Sequence, residues 1–362
     1  MDRGQKQEEF DICFSASYFW MVTTCEDKCR LKLGRATCSR APGRLVFSPP
    51  GNPMRKRKNP LILLLAWWLL LPAASHPATY SLMGTDKAQP VDKGTLVIQP
   101  IWAYTFTTGM FTGNWRRVSA GGDYTNFSQL LKLTYGVRDR MEVFLLMVTY
   151  THNWASQVDI PGPKGERGAN FGGIGNLLLA GKYQLAAEGP NNPAVTAFGG
   201  TILPTAHYRR LNPSNLWMDQ LGDGGYQFLL GFNAQKDLKP VTLYGNLWYQ
   251  MATDFTGDGV DANGLPAQVR FHPRDGVICN LAAECPLSPR WMVQLEMISS
   301  WDGGRLIGPK ANQAPAAYVT LSPALAYLVT DRFSLALGVA VTVYGKNTDA
   351  PVTPLLSAAY AF

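Results

Sequence analysis

Histidine is scarce in this sequence, with four in 362 residues, at His76, His152, His207 and His272. A hydrolase working at a membrane rim needs a serine hydroxyl and a histidine held together, because the imidazole takes the proton as the oxygen attacks. His152 with Ser156 is the best-spaced candidate, but all four histidines fall outside the segments read below as strands. The stretch carrying Asp254, Asp258 and Asp261 lacks the ligand spacing of a calcium loop, and loop polarity explains it. Cys25 and Cys29 have a zinc-like spacing without the second pair that a tetrahedral site needs. Cys279 and Cys285 sit on one strand, about 20 Å apart, beyond the roughly 7 Å Cα limit of a disulfide. No catalytic site, metal or cofactor is expected.

The remaining residues with usable chemistry are charges: Lys132, Glu142, Lys182, Glu284 and Glu296. Each lies on the polar side of an alternating segment. Lys132 and Glu142 flank one short hairpin and are expected opposite or diagonal to each other. Together the five are expected to form an ion-pair network that narrows one end of an enclosed lumen. The plainer alternative is that they only satisfy each other as buried charges. Phe144, Tyr244 and Trp248 fall on the same side as lumen aromatics, with Asn176, Gln227, Asn233, Asn246, Asn280, Gln294, Leu146, Leu178 and Leu229. Such a lumen is less polar than a water-filled porin needs.

The elements that must position these side chains are strands. From Gly94 onward the apolar period is two, which means strands with two different environments. In Phe333 to Val343, apolar residues alternate with the small residues Ser334, Ala336, Gly338, Ala340 and Thr342. Twelve such segments are expected, near 94–106, 124–136, 140–150, 173–185, 193–204, 224–235, 241–251, 276–285, 291–300, 316–329, 333–344 and 353–362. Long connections (107–123, 151–172, 205–223, 252–275, 301–315, 345–352) alternate with short ones. An even strand count with that alternation predicts an all-β, up-and-down transmembrane β-barrel of the bacterial outer membrane over 94–362. Tyr135, Tyr183, Tyr327, Trp291 and Phe333 are expected in the periplasmic aromatic girdle, and Trp102, Tyr104, Phe106, Phe127 and Tyr249 in the outer one. Pro100 and Pro323, which cannot donate a ladder bond, predict a bulge or bend. Loop 252–275, the longest, is the first suspect for a lumen constriction.

The net charge of +7 would otherwise suggest nucleic acid, but it is unevenly placed. Arg55 to Lys58 follow Met54 and precede the apolar run Leu61 to Ala74, too short to span a bilayer as a helix. That pattern predicts a signal peptide over 54–75. Residues 1–53 are expected to be an unstructured upstream extension arising from a start site placed too early. A periplasmic N-terminal segment is expected over 76–93. The repeat-like PGPKGERGA from Pro161 is too short for a triple helix and is expected to be a flexible extracellular loop.

In this order along the chain, GTLVIQPIWAYTF, LTYGVRDRMEV, GIGNLLLAGKYQL, the Leu-Pro-Thr at Leu203, PLSPRWMVQLEM and LSPALAYLVTDRFSLALGVAV form a pattern. It resembles the outer-membrane transporters grouped as the meta-pathway phenol-degradation family, over roughly Gly94 to Phe362. Asn176 stands where that family usually has Asp, and Ala206 where Gly commonly follows Pro-Thr. The resemblance implies passive uptake of small hydrophobic or aromatic molecules and transfers no site residue. The expected partners are outer-membrane lipid, small apolar or aromatic solutes, and the barrel-assembly machinery, which would read the C-terminal Phe362. The competing functions are a lipid-acting outer-membrane enzyme and a closed structural or surface-binding barrel.

Overall fold

A computed structural model describes residues 84–158, 167–212, 215–216, 218–260, 266–307 and 310–362. The signal peptide, the upstream extension, His76, Asp261 and most of the collagen-like stretch lie outside the described residues.

Twelve long strands follow one another and pair as antiparallel neighbours. They are β1 Leu96–Phe111, β2 Asp123–Arg138, β3 Met141–Val158, β4 Leu177–Ala186, β5 Ala194–Leu203, β6 Gln227–Leu238, β7 Val241–Ala252, β8 Gly276–Pro286, β9 Trp291–Asp302, β10 Ala316–Thr330, β11 Phe333–Lys346 and β12 Thr348–Ala361. β12 pairs back onto β1, from Val97 opposite Ala361 to Phe111 opposite Thr348. The barrel is therefore closed, and closure removes the unpaired edges that an open sheet would present.

Side-chain alternation decides which face meets lipid. Leu179, Leu230, Phe232, Leu247 and Leu337 point outward and are among the most exposed large apolar residues. Their alternates, such as Ala180, Gly231, Asn233, Asn246 and Ala336, face inward. Aromatic residues cluster at the short-turn end: Trp291 and Tyr327 rings lie 4.6 Å apart, and Tyr360 and Phe362 4.7 Å apart. At the opposite end Tyr104 meets Phe106 at 5.2 Å.

Several strands run further than their periodicity indicates. β3 continues to Val158 because Thr149 is an extra residue, unopposed between the pairs Gln129–Tyr150 and Leu130–Val148. One inserted residue swaps the faces, so the regular alternation breaks there although the strand does not. His152 thus lies on a strand, as does His272 on the short strand Pro266–Pro273. The expected loop 345–352 is almost absent, since Asn347 alone, at φ 48°, joins β11 to β12. Asparagine tolerates that left-handed conformation well. No bulge forms at Pro100 or Pro323. Their registers run through unbroken on one side, and on the other the ladder skips two pairs and resumes in the same register.

Outside the bilayer, Phe255–Val260, Pro266–Pro273, Arg305–Ile307 and Lys310–Gln313 form a separate four-stranded antiparallel sheet. The described part of loop 252–275 is spent on that sheet and does not constrict the lumen. Loop 204–226 reaches inward instead. Asn153 Nδ2 donates to the Met218 carbonyl at 2.9 Å, and Met218 packs on Tyr124, Ala155 and Val158.

An arginine placed at Leu337, mid-strand on the lipid face, should cost roughly 2–4 kcal/mol. Urea unfolding from lipid vesicles, followed by the heat-modifiable gel shift, should show that loss. An unchanged midpoint would mean that this face does not meet lipid.

Candidate functional site

The inner face is built in two layers, and the polar one includes a segment that is not part of the wall. Residues 84–91, part of the segment 76–93 expected in the periplasm, run inside the barrel and are held by inward side chains of eight successive strands. Lys132 on β2 bonds Asp86 at 3.1 Å, and Lys182 on β4 bonds Asp86 at 3.2 Å and Glu142 at 2.8 Å. Glu142 on β3 accepts the Val91 amide at 2.7 Å. Thr196 on β5 donates to the Ala88 carbonyl, and Gln235 on β6 accepts the Gln89 amide at 3.4 Å. Asn246 on β7 both accepts from the Asp86 amide and donates to its carbonyl, each at 2.8 Å. Asn280 on β8 donates to the Gly84 carbonyl at 3.2 Å, and Glu296 on β9 accepts the Gly84 and Thr85 amides at 2.8 Å. A backbone crossing a dry lumen must find such partners or lose its solvation. Gly136 on β2 is required here, because a Cβ would collide with the Asp92 carbonyl.

All five charges singled out from the sequence are in this layer, but their pairing differs from expectation. Lys132 does not bond Glu142: its cross-strand partner is Leu146, while Glu142 stands opposite Gly136 and meets Lys182. Asp86 takes the place between the two lysines. Glu284 is held by Lys87 at 3.4 Å, the Tyr244 hydroxyl at 2.5 Å and Gln294 at 2.7 Å. Glu296 is bound by backbone amides.

Toward the extracellular side the layer turns apolar. Phe144, Leu178, Phe198, Ile202, Leu229, Trp248 and Ile278 pack as one cluster from β3 to β8. Phe198 stacks on Trp248 at 4.6 Å and on Phe144 at 6.2 Å. The Trp248 indole lies across Gly231, where any Cβ would strike it, and donates to Asn233 Oδ1 at 2.7 Å. Lys132 Nζ sits 4.5 Å over the Phe144 ring and so links the two layers. On the other strands Ile101, Leu130, Met292 and Leu355 pack with the small residues Ala103, Ala326 and Ala336 as a second apolar cluster.

Sequence reasoning missed Asp86, Phe198, Ile202 and Ile278. Asp86 lies in a short polar stretch with no period. One signal was available: the expected lumen charges carry three carboxylates against two lysines, which calls for a further cation, and Lys87, the neighbour of Asp86, binds Glu284.

The residues weighed for catalysis are occupied elsewhere. His152 stacks on Trp154 at 4.1 Å, and its ring nitrogens meet Tyr150 and Asn170, while Ser156 stands across from Asp123. His272 and Arg270 both bind Asp254. Asp258 accepts from Leu211 and Gln268. Among the described residues no group of His, Cys, Asp and Glu could hold a metal, and Cys279 and Cys285 are free thiols.

A closed twelve-stranded barrel with an apolar outer face and two aromatic girdles is an integral protein of the bacterial outer membrane. A family model described as the MetA-pathway of phenol degradation matches residues 143–350, more than half of the chain, and the chain belongs to that family. Among solved structures, it is similar to the COG4313 outer membrane channel from Pseudomonas putida F1, with a TM-score of 0.59 and 14% identity, covering 76% of this chain and 98% of that one. The NanC porin overlaps more loosely, with a TM-score of 0.42 and 8% identity over 73% of this chain and 98% of that one. At 14% identity the likeness to the COG4313 channel shows a shared fold. No curated protein matches the chain.

Replacing Lys182 with Met leaves Asp86 and Glu142 buried without their shared cation, which should cost about 3–5 kcal/mol. The loss should appear as a lower midpoint for the heat-modifiable gel shift. At the mouth, burial pushes the Asp223 carboxyl up to about 7, with Arg305 pulling it back and Asp302 adding to the rise. The folded mouth therefore holds a proton that the unfolded chain would release. That contribution is fully present at acid pH and fades as pH rises through about 7. Hydrogen exchange of residues 204–226, corrected for intrinsic rates, should be slower at pH 5 than at pH 8, and Asp223→Asn should remove the difference.

Proposed function

We propose that the chain is an outer-membrane conduit for passive uptake of small hydrophobic or aromatic molecules. Residues 84–91, together with Lys132, Glu142, Lys182, Glu284 and Glu296, act as its periplasmic gate. One observation carries this reading: the lumen is divided into an apolar aromatic layer facing the outside and a polar closure below it. An aromatic layer gains little from water-soluble solutes and much from apolar ones. The family description, which refers to phenol degradation, supports an aromatic solute. A hydrolytic role finds no support in the placement of His152 and Ser156. Outer-membrane lipid would cover the apolar wall, and Phe362 would be the residue read by the assembly machinery. Export would depend on the signal peptide beginning at Met54.

The closed structural barrel has one observation in its favour. Leu229, Ile278 and Glu296 are each 0% exposed, so the inner space is filled around them. Planar-bilayer recordings separate the two readings. Asp86→Asn removes two buried ion pairs, and Glu296→Ala removes the acceptor of two backbone amides. If each lost anchor is worth even 1.4 kcal/mol, openings should become about tenfold more frequent. Currents from both variants that match the unmodified chain would overturn the gate. Liposomes impermeable to phenol-like solutes with either variant would favour the closed barrel.

A further inference from the structure

The ladders of β7 to β11 align five outward side chains in one row near the extracellular end. Tyr249 pairs with Val277, Val277 with Trp301, Trp301 with Ala317, and Ala317 with Lys346. The next outward row toward the periplasm runs Leu247, Cys279, Ser299, Val319 and Tyr344. Tyr344 and Lys346 reach this face because of one extra residue. The register passes from Thr320–Thr342 to Val319–Tyr344, so Val343 is unopposed and the parity of β11 changes there. A bulge of this kind re-aims side chains.

Trp301 and Tyr344 are each 50% exposed. Trp115, on the turn that follows β1, stacks on Tyr344 at 4.8 Å with the ring planes 15° apart. It does so at φ 62°, a left-handed backbone that a bulky residue rarely adopts. Such strain persists only where the surroundings impose it. Here the Trp115 amide donates to the Thr112 carbonyl, and the Thr112 amide to that of Arg116, which closes the turn. Two aromatic ridges therefore stand on β9 and β11, about 10 Å apart across β10. Between them β10 presents only the small side chains of Ala317 and Val319 in these two rows.

Cations stand at the extracellular end of this groove. Lys346 ends β11, and Arg116 follows the stacked Trp115 and is exposed. Neither enters an ion pair among the described residues. Neither outward row carries a carboxylate. Asp275 lies at the opposite end, where it accepts the Tyr249 hydroxyl. An apolar groove between interfacial aromatics, capped by unpaired cations, is complementary to an amphiphile that carries phosphate above its acyl chains.

We propose that this face is a specific site for lipopolysaccharide of the outer leaflet. An acyl chain of its lipid A lies on Ala317 and Val319 between Trp301 and Tyr344, and its phosphates meet Lys346 and Arg116. The guanidinium offers phosphate a two-pronged fork, and the lysine a point charge. The position at the extracellular end of an outer-membrane barrel selects this lipid over the phospholipids of the inner leaflet. The site does not depend on what the lumen conducts, and it is distinct from the general lipid contact of the apolar wall.

The test is native mass spectrometry of the full chain in detergent, titrated with bisphosphorylated lipid A, dephosphorylated lipid A and phosphatidylglycerol. The unmodified chain should prefer the bisphosphorylated form, by about fivefold for each cation engaged. Lys346→Gln and Arg116→Gln should each remove about fivefold of that preference and leave binding of the dephosphorylated form unchanged. Ala317→Trp, which fills the groove, should weaken both forms of lipid A alike. All three positions are on the outer surface, and the heat-modifiable gel shift checks that each variant folds; Val319→Trp replaces Ala317→Trp if that variant does not. Equal binding of the two forms of lipid A, or glutamine variants that bind like the unmodified chain, overturns the proposal. So does a filled groove that binds lipid A unchanged. Phosphatidylglycerol held as tightly as bisphosphorylated lipid A also overturns it, and would mean an unselective ring of anionic lipid.

Discussion

Lys182 is a cation in the interior of a barrel, and the arrangement around it depends on how its charge is met. Its side chain is 2% exposed and touches two carboxylates, Asp86 from the inner segment and Glu142 from the neighbouring strand. It also donates to the Lys87 carbonyl at 2.8 Å. An ammonium group removed from water is tolerated only with partners of this kind. One of the carboxylates belongs to a piece of chain that could otherwise have stayed outside. Meeting the charge of Lys182 therefore helps to hold residues 84–91 in the lumen.

The segment adds polar groups to the lumen as well as removing space. Its backbone brings amides and carbonyls inside the barrel, so the wall must supply matching groups. That requirement accounts for the polar residues at this level: Gln235, Asn246, Asn280 and Glu296 each bind main chain of the segment. Above it the inward positions of β3 to β8 turn to Phe, Leu, Ile and Trp. Elsewhere in the wall Ala326 and Ala336 pack with the larger Ile101, Leu130, Met292 and Leu355, so large and small residues share the filled interior.

The barrel itself was legible in the sequence. A period of two reports one face in lipid and one in the lumen, and it persists through nearly every strand because lipid penalises any polar exception. It fails where lipid no longer acts. In β3 the extra residue Thr149 swaps the faces, and the alternation restarts on the other parity beyond it. The short strand carrying His272 belongs to the outer sheet, away from lipid. Lys132, Glu142 and Lys182 were legible as lumen residues for the same reason, since parity fixes the face.

By itself the sequence determined the number of strands, the face of each residue and the end at which the loops are long, because these follow from local alternation and turn chemistry. Only the tertiary structure decided which charge meets which, that Asp86 stands between two lysines, and that Trp301, Ala317 and Lys346 of three strands line up. Those outcomes depend on the registers between strands distant in sequence and on the path of a segment with no pattern of its own. Parity says that a side chain points inward, and the barrel's closure decides what it finds there.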